Sequence, residues 1–557
     1  MKTTLPNVLP WLKPLFIDKR QIYGLFGCPV ARDNLLASQG TLRYFTSKQT
    51  GNASEQTTSF HMATIFHNYI GGSWLPSSSE RTFEDRNPAR WSELIGLFPQ
   101  SSADDVDRAV AAAQAALPAW RRMPAPQRGE ILRRAGDLLR ARKNEIARAM
   151  TREMGKPFFE TRGDVQEAID TAYYAASETR RLFGHTVPSE LPDKFNMTIR
   201  QPLGVVGVIT AWNFPVAVPS WKIFPALACG NTVVFKPSED APHSGMLFVQ
   251  TLIDAGLPPG VINLVQGDAE AGAALVEHPG VNAISFTGSS EVGAHIGGIC
   301  GRLHKRCSLE MGGKNPILVM EDADLDLVVN GVLWGAFGTT GQRCTATSRL
   351  ILHQAVHDKV VERLCEEARR LRLGDGNEEG TDMGPLINQA ALEKVQRYVE
   401  LGLKEGARLA LGGKRATGPG LDEGFFFEPT IFIDVTPQMR IAQEEIFGPV
   451  LSVLKVSSFE EAIEVANSVR YGLSSSIYTR DLTKAFRAIQ ALESGIVYVN
   501  APTIGAEAHL PFGGVKQTGN GHREGGWEVF DFYTETKTVY IDYSGRLQRA
   551  QIDTAQE

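Results

Sequence analysis

Cysteine is scarce in this sequence. Six occur in 557 residues, at positions 28, 229, 300, 307, 344 and 365, and none forms a CxxC pair. That argues against a disulfide framework and a cysteine-ligated metal site, and fits a reducing compartment. No apolar run reaches the ~18 residues that a helical membrane span needs. There is no excess of positive charge either. The net charge is −6, so no nucleic-acid or anionic-membrane partner is expected. Neither an internal repeat nor a low-complexity tract follows residue 61. What remains is 43% hydrophobic and 22% charged. That is a globular composition, with length for roughly two to four domains.

Residues 1–61 differ from the rest. They hold seven Lys/Arg against three Asp/Glu and are rich in Ser and Thr. They lack the apolar core and small-residue cleavage site of a secretory signal. Two readings remain: an organelle leader, which would place the protein in the mitochondrial matrix, or an upstream extension with Met62 as the true start and a cytoplasmic protein. The second is our expectation, with 1–61 disordered and outside the fold.

From about 105 to 160, apolar residues recur at helical spacing. From 204 the rhythm changes. GVVGVIT (204–210), NTVVFKPS (231–238), VINLVQG (261–267), NAISFTGS (282–289) and KRCSLEMGG (305–313) read as strands. Helical stretches of about ten residues separate them, Val218–Ala228, Ser244–Ala255, Ala269–Glu277 and Glu291–Gly301. Buried strands alternating with helices predict an α/β fold with a parallel sheet. The loops AWNFP, KPSE, QGD and FTGSSEVG then open into one crevice at the carboxyl ends of the strands, where a nucleotide binds. A second α/β region runs from about 312 to 500. Segments 193–204 and 535–544 alternate like strands without an evident partner in either region. An exposed strand edge needs cover, so we expect them to form an oligomerisation arm. The expected domains are 62–192 with 205–310 for the cofactor, 311–510 for catalysis, and a tail at 545–557. That tail either reaches a neighbouring subunit's entrance or is disordered.

FTGSSEVG nearly matches the dinucleotide fingerprint. Gly288 and Gly293 take its first and third glycine positions, and Ser290 stands at the second. Taken alone, a turn that needs glycine explains it equally. In KPSE, Lys236 and Glu239 can grip ribose hydroxyls, and the carboxylate disfavours a 2′-phosphate, so NAD is expected ahead of NADP. A surface ion pair is the plainer alternative. Cys344 lies in TTGQRCTATSR among small hydroxyl residues. A thiol with an ordinary pKa of about 8.5 needs a base, a cation or backbone dipoles to act as a nucleophile. Glu310, in LEMGGKNP, offers a base. Asn213, in AWNFP, offers an amide donor for an oxyanion. Each residue alone also fits simple packing. Together with a dinucleotide they define aldehyde oxidation through a thioester. Cys229, Cys300, Cys307 and Cys365 are expected to pack, with Cys307 on the strand face opposite Glu310.

From about 66 to 543 the chain resembles the NAD(P)-dependent aldehyde dehydrogenase superfamily. The resemblance rests on AWNFPVAVPSWKIFPALACGNTVVFKPSE, FTGSSEVG, LEMGGKNP, GQRCTATSR, EEIFGPV and LPFGGVKQTGNG, in that order. It implies a Rossmann-like cofactor domain, an α/β catalytic domain and a β oligomerisation arm, in a homodimer or homotetramer. It implies Cys344 as nucleophile, Glu310 as general base and Asn213 as oxyanion donor. It places Thr210, Trp212, Lys236, Ser238, Glu239, Gly288, Ser289, Gly293, Glu445 and Phe447 around the cofactor. A substrate funnel would involve Phe214, Trp221 and Phe512, which suit aliphatic chains. Arg343 either meets a substrate carboxylate or points into the protein. IGAEAHLPFGGVKQTGNGHREGG is similar to the bacterial semialdehyde-oxidising branch. Two alternatives stand beside hydrolysis. A CoA-acylating enzyme tends to lack the glutamate found here as Glu310. A non-catalytic protein reusing the fold need not keep Cys344, Glu310 and Asn213 together. No metal is expected.

Overall fold

The structure, a computed structural model, describes residues 63–554. The expectations for residues 1–61 and for Cys28 lie outside the described residues.

The central strand Val205–Ile209 is buried along its whole length. Its side chains alternate between two cores. Val206 and Val208 enter one cluster with Phe235 and Leu264, while Val205 and Ile209 enter another with Val234 and Phe286. Covering both faces explains why the strand reads as a continuous apolar run. The sheet order is Arg306–Glu310, Ala283–Thr287, Val205–Ile209, Thr232–Lys236, Ile262–Leu264, Asn68–Ile70, Ser73–Leu75. The first five strands are parallel, and the last two form an antiparallel hairpin at the edge. The chain order reverses between Val205–Ile209 and Ala283–Thr287. A crevice opens at such a switch point, and both the AWNFP loop and the FTGSS turn border it.

The second sheet orders Arg408–Leu411, Thr430–Ile433, Val450–Val456, Thr347–His353, Asn315–Val319, Ser474–Tyr478 and Ile496–Val499. Only Arg408–Leu411 runs antiparallel to its neighbour. Segments 193–204 and 535–544 find their partners in each other. Thr534–Asp542 pairs antiparallel with Lys194–Pro202, from Thr534↔Pro202 to Asp542↔Lys194, and Thr186–Val187 adds a third strand. Phe195, Ile199, Tyr540 and Ile541 are exposed on this sheet.

Several helix limits follow from caps. The Asp268 side chain accepts from Glu270 N at 2.9 Å and starts Ala269–Glu277 at the expected residue. Ser289 accepts from Val292 N at 3.3 Å and starts Ser290–Arg302. Strands Asn68–Ile70, Ser73–Leu75, Thr82–Arg86, Leu94–Pro99 and Arg408–Leu411 are too short or too irregular to show a period, and the sequence reading missed them. No helix among the described residues is long and apolar enough to cross a membrane.

Candidate active site

Cys344 sits just after a strained turn. Helix Leu325–Phe337 ends, and Gly338–Gly341 makes a single tight turn in which Thr339 and Thr340 adopt φ of 52° and 58°. Positive φ is costly for a β-branched residue and persists only where the surroundings enforce it. Glu160 enforces it here. Its carboxylate accepts from Thr339 N at 3.0 Å, Thr339 Oγ1 at 2.5 Å and Arg343 Nη2 at 2.5 Å. Gly341, at φ 69°, lies so close to Gly448 that a Cβ would stand 2.2 Å from its carbonyl oxygen. Downstream, Asn315 Nδ2 donates to Cys344 O at 2.8 Å, and Thr503 Oγ1 donates to Thr345 O at 2.7 Å. Burial, followed by the charges of Glu445 and Glu310, pushes the Cys344 thiol up to about 12, against N–H groups of Thr345 and Cys344 that favour the thiolate. The thiol therefore rests protonated.

Glu310 ends the edge strand Arg306–Glu310 and is buried. Neither carboxylate oxygen has a hydrogen-bond partner among the described residues. Burial and the nearby Glu524 charge raise its pKa well above the usual range, while Lys222 and Arg523 oppose them. A base of this kind holds its proton more firmly than a surface carboxylate. Lys222 and Glu524 form a buried ion pair, and Lys222 Nζ also donates to Ser285 Oγ at 3.3 Å. Gly513 makes room for Glu310, since a Cβ there would lie 2.6 Å from Oε1. Asn213 Nδ2 donates to Gln342 O at 3.0 Å, which ties it to the segment carrying Cys344.

One cavity of about 1170 Å³ joins these groups to the dinucleotide turn. At one end it is lined by Thr210, Trp212, Lys236, Ser238, Glu239, Gly288 and Ser289, and Glu445 and Phe447 line it as well. Gly293 does not line it. A Cβ at Gly293 would meet Met311 Sδ at 2.4 Å, so this glycine serves the packing of helix on strand. Lys236 Nζ meets Glu239 Oε2 at 3.1 Å. Glu445 Oε1 accepts from Gly313 N at 3.0 Å, and a Cβ on Gly312 would stand 2.2 Å from Glu445 Oε2. Trp212 and Phe447 meet edge-on at 5.5 Å. Thr210 Oγ1, Thr287 Oγ1 and Ser290 Oγ are buried without partners among the described residues. Unanswered polar atoms beside the first turn of a helix suit a phosphate and sugar ligand.

At the other end stand Phe214, Trp221 and Phe512, joined by Phe159 and Trp334. Trp221 and Phe512 pack edge-on at 4.7 Å. Arg343 lines the cavity as well, but its charge is already answered. It is paired with Glu160, its Nε donates to Thr339 Oγ1 at 2.8 Å, and its guanidinium lies 4.7 Å from the Trp334 ring centre.

The profile of the aldehyde dehydrogenase family matches residues 74–539. This chain belongs to the aldehyde dehydrogenase family. It is 43% identical over 475 residues to an alpha-ketoglutaric semialdehyde dehydrogenase of Bacillus subtilis, covering 85% of this chain and 97% of the relative. It is 44% identical over 478 residues to an alpha-ketoglutarate semialdehyde dehydrogenase of Haloferax volcanii, covering 86% and 99%. Among solved structures, a betaine aldehyde dehydrogenase of Staphylococcus aureus in complex with NAD+ superposes with a TM-score of 0.85 at 34% identity, covering 87% of this chain and 96% of that one.

Sequence reasoning missed several residues of this aldehyde dehydrogenase site. Lys222 had a visible signal, as the one charge in the apolar helix Ala217–Ala228. Glu160, Glu167 and Glu524 had none, because their significance depends on contacts far apart in the chain. Cys300 and Cys307 belong to the apolar packing between helix Ser290–Arg302 and its strand, away from the cavity.

Proposed function

We propose that the protein oxidises an aldehyde to its carboxylic acid through a thioester on Cys344, with NAD+ as oxidant and water as acyl acceptor. The observation that carries this reading is the single cavity holding Cys344, Glu310, Asn213 and the dinucleotide turn. Sγ adds to the carbonyl carbon, forming a C–S bond, while the thiol proton passes to solvent in the cavity. Asn213 Nδ2–H and the Cys344 backbone N–H steady the resulting oxyanion. NAD+, when bound, accepts the hydrogen and two electrons that this carbon gives up. Glu310, in its ionised form, then takes a proton from water. The water oxygen adds to the thioester, the C–S bond breaks, and the acid leaves.

Lys236 and Glu239 would hold the adenosine ribose, Gly288 and Ser289 would lie by the diphosphate, and Glu445 and Phe447 would bound the nicotinamide end. The Glu239 carboxylate favours NAD over NADP. The names of both semialdehyde-oxidising relatives support a carboxylate-bearing semialdehyde as substrate. The exposed apolar residues of the three-stranded sheet support assembly with a second copy.

NADH formation tests the reading across plain aldehydes and carboxylate-bearing semialdehydes, with NAD or NADP, and with or without CoA. A preference for semialdehydes without need of CoA is expected. A strict CoA requirement would move the acyl group to CoA. Folded protein that binds NAD and oxidises none of them would be a non-catalytic member of the fold.

A further inference from the structure

Two cations stand near the substrate end of the cavity, and each already has its own carboxylate. Lys156 Nζ meets Asp164 Oδ2 at 3.0 Å with both side chains fully buried. Arg343 meets Glu160 at 2.5 Å. A third carboxyl group is left over. Glu167, one turn beyond Asp164, lines the same cavity as Cys344. Its side chain enters no hydrogen bond or ion pair among the described residues. We infer that Glu167 is a specificity-determining residue: its carboxyl group donates a hydrogen bond to the distal carboxylate of the semialdehyde.

This inference rests on the substrate reading above. The charged groups around Glu167 decide its protonation. Asp164 and Asp170 face it from its own helix, Lys156 from the preceding turn and Arg343 from the Cys344 loop. Tyr498 approaches from strand Ile496–Val499, with its hydroxyl already donating to Gly505 O at 2.7 Å. Burial comes first and Asp164 second in pushing the carboxyl up to about 8, while Lys156 and Arg343 pull the other way. At neutrality the group keeps its proton and has no acceptor for it among the described residues. A substrate carboxylate supplies one, and an O–H···O⁻ bond is charge-assisted. An ionised Glu167 would instead repel that carboxylate.

The test is the ratio of KM for α-ketoglutarate semialdehyde to KM for pentanal, at saturating NAD+. Groups common to both reactions cancel in it. As Glu167 ionises, the wild-type ratio should climb about tenfold from around pH 6 to around pH 9. Glu167→Gln, a donor that cannot ionise, should hold the ratio low and flat. Glu167→Ala should raise it roughly tenfold at every pH. A low wild-type ratio that neither substitution changes overturns the role of Glu167 alone. A wild-type ratio above one at every pH, indifferent to both substitutions, overturns the substrate reading as well. A ratio that falls with rising pH, with 4-aminobutanal preferred, overturns the acid-donor role in favour of an ionised carboxylate that binds cations.

Discussion

Cys344 holds a thiol that burial and two carboxylates keep protonated, so its reactivity depends on a proton acceptor within reach. In our account solvent in the cavity is that acceptor, and Glu310 acts afterwards as the base that takes a proton from the attacking water. Glu310→Gln should cut steady turnover by about 10²–10³-fold and leave a rapid first turnover, seen as a burst of NADH in stopped flow. No burst with slow steady turnover would place Glu310 in acylation alone. Lys222 favours the ionised form of Glu310. Lys222→Met removes that influence, so the Glu310 pKa rises further and the acidic limb of the kcat profile moves to higher pH. The same change strands Glu524 as a buried, unpaired charge, and should lower stability by about 3–5 kcal/mol in chemical denaturation.

The strand–turn elements that carry the site were largely legible in the sequence. The all-apolar runs announced the parallel sheet, because strands covered on both faces leave no polar side to alternate. The glycines announced the turns, though not each one's purpose. Gly293 packs against Met311, and Gly312 clears space for Glu445. Gly312→Ala should displace the Glu445 carboxylate and raise KM for NAD+ by roughly tenfold, while an unchanged KM would remove Glu445 from the cofactor end. Illegible elements fail for physical reasons. The buried pair of Lys222 and Glu524 joins residues 302 apart in sequence, which no local period can register. Glu167 looks from its spacing like one more polar position on helix Phe158–Glu178. Only the fold places it in the cavity with Cys344.

The described residues bring two mostly parallel sheets and a separate three-stranded sheet into one architecture, and the last leaves apolar side chains in water. In our reading a second copy covers them. Phe195→Glu with Tyr540→Glu should lower the sedimenting mass, and a mass unaltered by both changes would place the subunit contact elsewhere. Chemistry remains the central claim, and one measurement reaches it most directly. Glu310→Gln protein is mixed with aldehyde and NAD+, quenched in acid, digested and weighed by mass spectrometry. The account predicts an acyl group on the peptide containing Cys344, and none when Cys344→Ala is added. An acyl group on another residue, or an active enzyme that never acylates Cys344, would contradict it.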